Sequence, residues 1–429
     1  MRILLTGASG FIGQHLLQAL LAEGHHVVCA GRKARTSTDP RLATIHADFA
    51  NDTDKSAWLA RLSGIDAVIN TVGIFRESGT QTFQRLHTET PRALFAACAE
   101  SHDVHVVIQL SALGADREAE TRYHLSKKAA DDYLASLPVR AYIVQPSLVY
   151  GSEGASARAF RTLASMPFTA RFGSAPQLVQ PIHIDDLVAA ILGLLRHRLP
   201  LAPGSGTAMR VPLVGPEAMP FTDYLGALRA AMGMGRLRSV TLPGPLARLV
   251  AKLGRYLPGS LIDDDALSML DRGSTGDASF ATRLIGHPPR PVTQFVSAPG
   301  AELARARLGW LLPILRGSIA AVWLLTAIVS FGLYPVEDSY ALLARTGIPD
   351  ALQPLMLYGA ATFDLLIGLG ILFLPRRRLL WLIQLVLIGF YTVVIAWKLP
   401  EFLLHPYGPL TKNLPLLAAI WLLYELEER

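Results

Sequence analysis

Two patterns of apolar and polar positions divide this chain. Through residues 1–150, short apolar runs alternate with longer stretches whose apolar positions recur every three or four residues. "RILLTG", "HHVVCAG", "ATIHAD", "DAVINTVG", "HVVIQLSA" and "RAYIVQPS" read as strands, with "FIGQHLLQALLAEG" and "TETPRALFAACAES" as helices between them. Such alternation predicts a doubly wound parallel sheet with helices on both faces and a ligand site at the carboxyl ends of its strands. Residues 151–295 are less regular. "DDLVAAILGLLRHR" and "FTDYLGALRAAMGM" are helical patches among many Pro and Gly, as expected of a small substrate-covering region. "PLARLVAKLGRYL" (245–257) has an apolar and a basic face, suiting a helix packed on the core or lying on a membrane. "PPRPVTQFVSAPG" (288–300) is rich in breakers, so the first domain is placed at 1–300 and a linker at 301–312.

From residue 313 the polar face disappears. Four apolar stretches follow, at 313–334, 353–374, 379–397 and 413–424. The first three reach the roughly 20 residues that a membrane-spanning helix needs. The expectation is an all-α transmembrane domain of about four helices over 313–429, with the fourth either spanning or ending at the interface. Arg305, Arg307 and Arg316 flank the first stretch, and Arg376, Arg377 and Arg378 fill the loop between the second and third. Acidic Glu337, Asp338, Asp350 and Glu401 occupy the other loops. Basic loops favour the cytoplasmic side, which predicts cytoplasmic termini and a cytoplasmic N-terminal domain in an inner (cell) membrane. Asp364 lies mid-span, where a carboxylate is costly and so a functional candidate, whether as a buried neutral group or a proton carrier.

Composition agrees with this division. The chain is 51% hydrophobic and 17% charged, too apolar for an average soluble enzyme. Its net charge is +6, and eight basic and eight acidic residues balance within 313–429, so the surplus lies in residues 1–312. No basic run with interleaved aromatics supports nucleic acid as the partner. An anionic membrane leaflet fits better. Cys29 and Cys98 sit in apolar runs and are expected to be buried, reduced thiols, with no zinc spacing. No stretch reads as a secretory signal.

Chemistry concentrates in three motifs. "TGASGFIG" places Gly7, Gly10 and Gly13 between the first strand and first helix. The three permit a tight turn, close approach to a diphosphate and close helix packing, with Ser9, Phe11 and Ile12 at the uncapped helix start. This makes the sheet Rossmann-type. The second strand ends "CAGRKAR": Arg32, with Lys33 and Arg35, stands where an NAD site usually has a carboxylate. A guanidinium can grip a 2′-phosphate, so NADP(H) is preferred and NAD(H) remains possible. Asp48 is expected near the adenine, and Asn70, Val72 and Gly73 of "NTVG" beside the cofactor. In "YHLSK", Tyr123 and Lys127 share a helix face. The ammonium and a cationic nicotinamide would lower the phenol's pKa, letting Tyr123 act as acid/base. Ser111, at the end of "QLS", is the candidate to hold a substrate oxygen.

On "TGASGFIG", "HADF", "NTVG", "LSALGA", "YHLSK", "QPSLVYG" and "QPIHIDDLVAAI", residues 1–300 resemble an extended or atypical short-chain dehydrogenase/reductase. The nearest likeness is to the NAD-dependent epimerase/dehydratase family and its branch similar to accessory subunits of respiratory complex I. The resemblance implies that Pro146, Ser147 and Asp186 border the cofactor or substrate. Residues 313–429 resemble a DoxX-like membrane domain, which also has an acidic residue in its second span. The chain departs from the family pattern at Gln145, where Arg is usual, and at Ala112 and Leu113, where a catalytic Ser or Thr often stands. The resemblance implies a membrane-anchored, NAD(P)H-dependent oxidoreductase. Tyr123, Lys127 and Ser111 would be catalytic, and the fusion to a membrane domain is the ground for expecting a lipophilic substrate such as a quinone, isoprenoid or lipid carbonyl. The alternatives are a non-catalytic nucleotide sensor or assembly factor for a membrane redox complex, in which Tyr123 and Lys127 only hold the nicotinamide ribose, and a transporter with a regulatory nucleotide domain. Neither substrate nor oligomeric state is readable from the sequence.

Overall fold

The computed structural model describes residues 1–33, 37–172, 177–197, 207–242, 264–406 and 408–427. Arg35 and the 245–257 amphipathic stretch lie outside the described residues. The chain divides into two compact units, Met1–Ala306 and Arg307–Arg429.

All six strands read from the sequence are present: β1 (Arg2–Thr6), β2 (His26–Gly31), β3 (Leu42–His46), β4 (Ala67–Asn70), β5 (Val106–Leu110) and β6 (Ala141–Pro146). Between them lie α1 (Phe11–Ala22), α2 (Lys55–Leu59), α3 (Thr90–Glu100) and α4 (Arg122–Ser136). A seventh strand, Ala208–Leu213, adds to β6, and the order from that edge is Ala208–Leu213, β6, β5, β4, β1, β2, β3. Every pairing in this sheet is parallel. Strand order reverses between β1 and β4, which opens the crevice where such sheets bind ligands.

The apolar runs are continuous because both faces are covered. Alternate side chains point to opposite layers. Ile3, Leu5, Ile69 and Ile108 pack with Leu16 and Leu20 of α1 and with Leu187 and Ile191 of the helix Ile184–His197. Leu4, Val28, Val68 and Val107 pack with Trp58, Leu94 and Phe95 on the other side. Each fully buried aliphatic side chain contributes about 1.5–3 kcal/mol. Cys29 and Cys98 are buried free thiols within these two layers. A smaller cluster gathers Tyr150, Phe221, Tyr224, Leu228 and Phe295.

A long helix, Pro299–Ile328, continues through a π-helical turn, Val329–Leu333. Residues 301–312, expected to be a linker, are helical. The breakers end at Pro299, which starts the helix, and "AELARARLGWLL" is rich in helix formers. The helices Gln353–Phe373, Arg378–Lys398 and Asn413–Leu426 follow. Among the described residues, three helical segments, Pro299–Leu333, Asp350–Phe373 and Arg378–Lys398, are long and apolar enough to cross a membrane, and Asn413–Leu426 is shorter. Their interior is formed by Trp323, Ile367, Trp381, Ile420 and Leu423. A buried hydrogen bond joins Trp323 Nε1 to Gln384 Oε1 at 2.8 Å. Leu355, Val386 and Val393 face outward at 66–70% exposure, a surface suited to lipid rather than water. Asp364 is buried.

Candidate nucleotide and catalytic site

β1 ends at Thr6 and the chain turns at Gly7, whose φ of +75° suits glycine. A side chain on Gly7 would come within 2.6 Å of Thr71 Oγ1. One on Gly13 would lie 2.1 Å from the Gly7 carbonyl oxygen, so helix and turn touch there through backbone. Gly10 differs. It is exposed, and the nearest atom to an added Cβ is the Gly7 oxygen at 3.2 Å. It caps α1 without a side-chain hydrogen bond, and the first turn carries no acidic residue. Ser9 is exposed beside it, and Phe11 and Ile12 are half-buried. The arrangement fits a dinucleotide's diphosphate: open backbone at a helix start, positive dipole end outward, no carboxylate to repel an anion.

The second strand delivers Arg32 and Lys33, both exposed, just past Gly31. With its carboxamide oxygen turned toward the guanidinium, Gln81 lies 3.2 Å from both terminal nitrogens of Arg32. Asp48 is half-buried, and its carboxylate serves its own turn by accepting from Ala50 N–H at 3.1 Å and Asn51 Nδ2 at 2.7 Å. Asn70 is fully buried. Its Oδ1 accepts from Thr6 Oγ1 at 2.6 Å and its Nδ2 donates to Gln109 Oε1 at 2.7 Å, so the side chain belts β1, β4 and β5 together. Val72, half-buried, and Gly73, exposed, follow at the open end of β4.

Thr121 caps α4 by accepting from the His124 N–H. Tyr123 stands in the first turn, and Lys127 follows one turn later. The buried Lys127 ammonium donates to Leu110 O at 3.0 Å and Val72 O at 3.3 Å. A Cβ on Gly73 would sit 3.2 Å from Lys127 Nζ, and one on Gly7 would sit 2.9 Å from Val72 N. Segment 71–73 therefore links the glycine turn to the Tyr-x-x-x-Lys helix. Tyr123 stacks on Phe75 (centroids 5.2 Å, planes 14° apart), with His87, His124 and Phe83 edge-on. Burial, and next the Asp131 charge, raise its phenol above the usual value. The protein's own groups thus do not supply the lowered phenol expected from the sequence, because burial and the Asp131 charge both disfavour the anion.

Ser111 is buried, and its hydroxyl donates to the Asp131 carboxylate of α4. The resemblance-derived residues are also engaged. Pro146 O accepts from Leu113 N–H at 3.0 Å, and the Ser147 hydroxyl donates to Gln180 O. Asp186 is buried and accepts from Arg290 through its N–H at 2.9 Å and Nε at 3.2 Å. Gln145 Nε2 reaches Ala115 O at 3.4 Å.

Sequence reasoning missed His87. It lies in a π-helical turn, Gln84–Glu89, a form often found at functional sites. Its Nε2 accepts from Ile74 N–H at 2.9 Å, which places the proton on Nδ1 for donation to Ser126 Oγ, also at 2.9 Å. Ser126 in turn donates to the Tyr123 carbonyl at 2.7 Å. Burial, then the Lys127 charge, push His87 down to about 2, so it stays neutral and holds the 74 loop against α4. Asp131 and Arg210 were missed as well. Asp131 belongs to none of the motifs, and Arg210 lies in a strand whose apolar pattern Arg210 and Pro212 interrupt.

Residues 3–204 match the NAD dependent epimerase/dehydratase family, and residues 320–421 match the DoxX-like family. The chain is similar to the mitochondrial NADH dehydrogenase (ubiquinone) 1 alpha subcomplex subunit 9 of Arabidopsis thaliana, 25% identical over 253 residues. That match covers 57% of this chain and 61% of the relative. It is also similar to the ceramide reductase of Caulobacter vibrioides, 25% identical over 196 residues, or 45% of this chain and 61% of that one. Both alignments therefore span about three fifths of the relative's length. Among solved structures, a nucleoside-diphosphate-sugar epimerase from Staphylococcus aureus superposes with TM-score 0.55 at 16% identity, covering 69% of this chain and 99% of that one. MoeE5 in complex with UDP-glucose and NAD gives 0.51 at 20% identity, covering 72% and 99%. At these identities the likeness establishes the fold, and it agrees with the seven-stranded sheet. The chain carries an N-terminal domain similar to the epimerase/dehydratase, short-chain dehydrogenase/reductase type, followed by a C-terminal DoxX-like domain.

Proposed function

We propose that the protein is a membrane-bound, NAD(P)H-dependent oxidoreductase that moves a hydride to or from the carbonyl or alcohol carbon of a lipophilic substrate. The observation carrying this reading is the continuity of the Gly7–Gly13 turn, segment 71–73 and the Tyr123–Lys127 face of α4. The turn would hold the diphosphate, Lys127 the nicotinamide ribose, and Arg32 a 2′-phosphate, hence the preference for NADP(H) over NAD(H). A bound nicotinamide supplies or accepts the hydride. In the reducing direction, Tyr123 gives its phenolic proton to the carbonyl oxygen; in the oxidising direction it takes the hydroxyl proton. Lys127 favours the tyrosinate through its charge. Bulk water then returns the proton to Tyr123 after reduction, or takes it up after oxidation.

The lipophilic substrate is supported at the mouth of the site. Phe75 stacks on Tyr123 yet is 68% exposed. An exposed aromatic ring beside a reacting phenol suits an apolar substrate such as a quinone, isoprenoid or lipid carbonyl. The relative named as a ceramide reductase points the same way. We read residues 1–300 as the nucleotide domain and 313–429 as about four spans of an inner membrane, with both termini and the nucleotide domain cytoplasmic.

A second reading has its own support. The Ser111 hydroxyl is committed to Asp131, and Ala112 and Leu113 offer no side-chain donor for a substrate oxygen. The domain would then bind nucleotide without turnover, as a sensor or assembly factor. Tyr123→Phe separates the two. The oxidoreductase loses at least 100-fold in kcat on lipophilic carbonyls, with dinucleotide affinity nearly kept. Wild-type protein that binds dinucleotide yet turns over no carbonyl or quinone overturns the enzyme reading.

A further inference from the structure

We propose that Asp131 is a positioning residue that keeps the Lys127 ammonium charged while fixing the Ser111 hydroxyl. The inference rests on Lys127 being a cofactor-facing group, as read above.

Asp131 has no exposed surface. It follows Lys127 by one helical turn, so the two share a face of α4. Ser111, at the end of β5, donates its hydroxyl to Asp131 Oδ2, and Arg210 Nη1 of the edge strand lies 3.5 Å from the same oxygen. Asp131 Oδ1 has no hydrogen-bond partner. A carboxylate with one oxygen unserved is costly to bury, and breaking such a constellation costs more than it stabilises. Arg210 is only a partial counterion, because its other terminal nitrogen pairs with Asp132 at 2.6 Å and its side chain is 36% exposed. The remaining compensation comes from Lys127. Its two identified acceptors, Val72 O and Leu110 O, are neutral, and His87 nearby is neutral too. Burial lowers the Lys127 pKa and Asp131 opposes that fall. Burial likewise raises Asp131, against the hydrogen bond from Ser111 and the charges of Arg210 and Lys127, with Asp132 adding to the rise. Each charge therefore opposes the shift that burial imposes on the other. Tyr123 also feels Asp131, which disfavours its anion.

The test titrates NADPH and NADH binding to the detergent-solubilised full chain, between about pH 6 and 10, across the range where a lowered lysine ionises. Wild-type affinity should fall as Lys127 loses its proton. In Asp131→Asn that midpoint should move down by about one pH unit or more, the size expected on losing an adjacent opposite charge. Asp131→Glu should stay near wild type. Lys127→Arg should remove the alkaline fall, with or without Asp131, since a guanidinium does not titrate there. Should Asp131→Asn fail to fold, Ser111→Ala carries the test. Loss of that hydrogen bond leaves Asp131 less ionised and moves the midpoint the same way by less. A folded Asp131→Asn or Ser111→Ala protein with the wild-type midpoint overturns the proposal while nucleotide binding stands. Wild-type protein that binds neither dinucleotide at any pH overturns both.

Discussion

A methyl group on Gly13 would meet the Gly7 carbonyl oxygen at 2.1 Å, whereas one on Gly10 would meet it at 3.2 Å. The sequence presents both as one motif, but physics separates them. Gly13→Ala must push α1 off the turn, so it should cost roughly 1–3 kcal/mol of stability and abolish dinucleotide binding. Gly10→Ala should melt near the wild-type temperature, since its φ of −78° suits alanine, yet bind at least tenfold more weakly. Thermal melts paired with NADPH titration check both, and equal melting losses would refute the distinction. The same scale limits what could be read in advance. Tyr123 and Lys127 were legible because helical spacing puts them on one face. The belt role of Asn70 was not, because its partners Thr6 and Gln109 stand 64 and 39 residues away.

Glu302 sits in the first turn of the helix Pro299–Ile328, within the first unit. It accepts from Tyr150 Oη at 2.7 Å and pairs with Arg161, both partners being buried. Burial by itself would raise this carboxyl, but the hydrogen bonds from Tyr150 and Arg161 outweigh it and hold the pKa below the usual range. A lowered folded pKa means stability that is present above the unfolded carboxylate pKa and lost as pH falls through the folded one. Glu302→Gln leaves the Arg161 charge buried without its partner and should cost about 3–5 kcal/mol. It should also flatten the acid limb of stability measured by denaturant unfolding. An unchanged midpoint at neutral pH would show that the triad is not stabilising. Among the elements, the six long apolar strands were plain from the sequence. The edge strand Ala208–Leu213 was not, since Arg210 and Pro212 interrupt its pattern and an edge position tolerates both.

The two units meet different solvents on this reading, and that is testable in whole cells. A cysteine introduced at Arg376 should react with an impermeant maleimide only after the membrane is opened, while one at Asp350 should react in intact cells. Cys29 and Cys98 are buried and should stay silent. The reverse pattern would invert the topology. The order of domains, the sheet class, the glycine turn and the three long apolar helices follow from the sequence alone, because each rests on local periodicity or spacing. Contacts between distant segments were decided only by the tertiary structure. There the Ser111 hydroxyl turns to Asp131, His87 locks the 74 loop to α4, and Glu302 joins Tyr150 and Arg161. Hydrogen-bond and ion-pair partners are chosen by burial and proximity in the folded chain, and neither quantity is written in a residue's neighbours along the sequence.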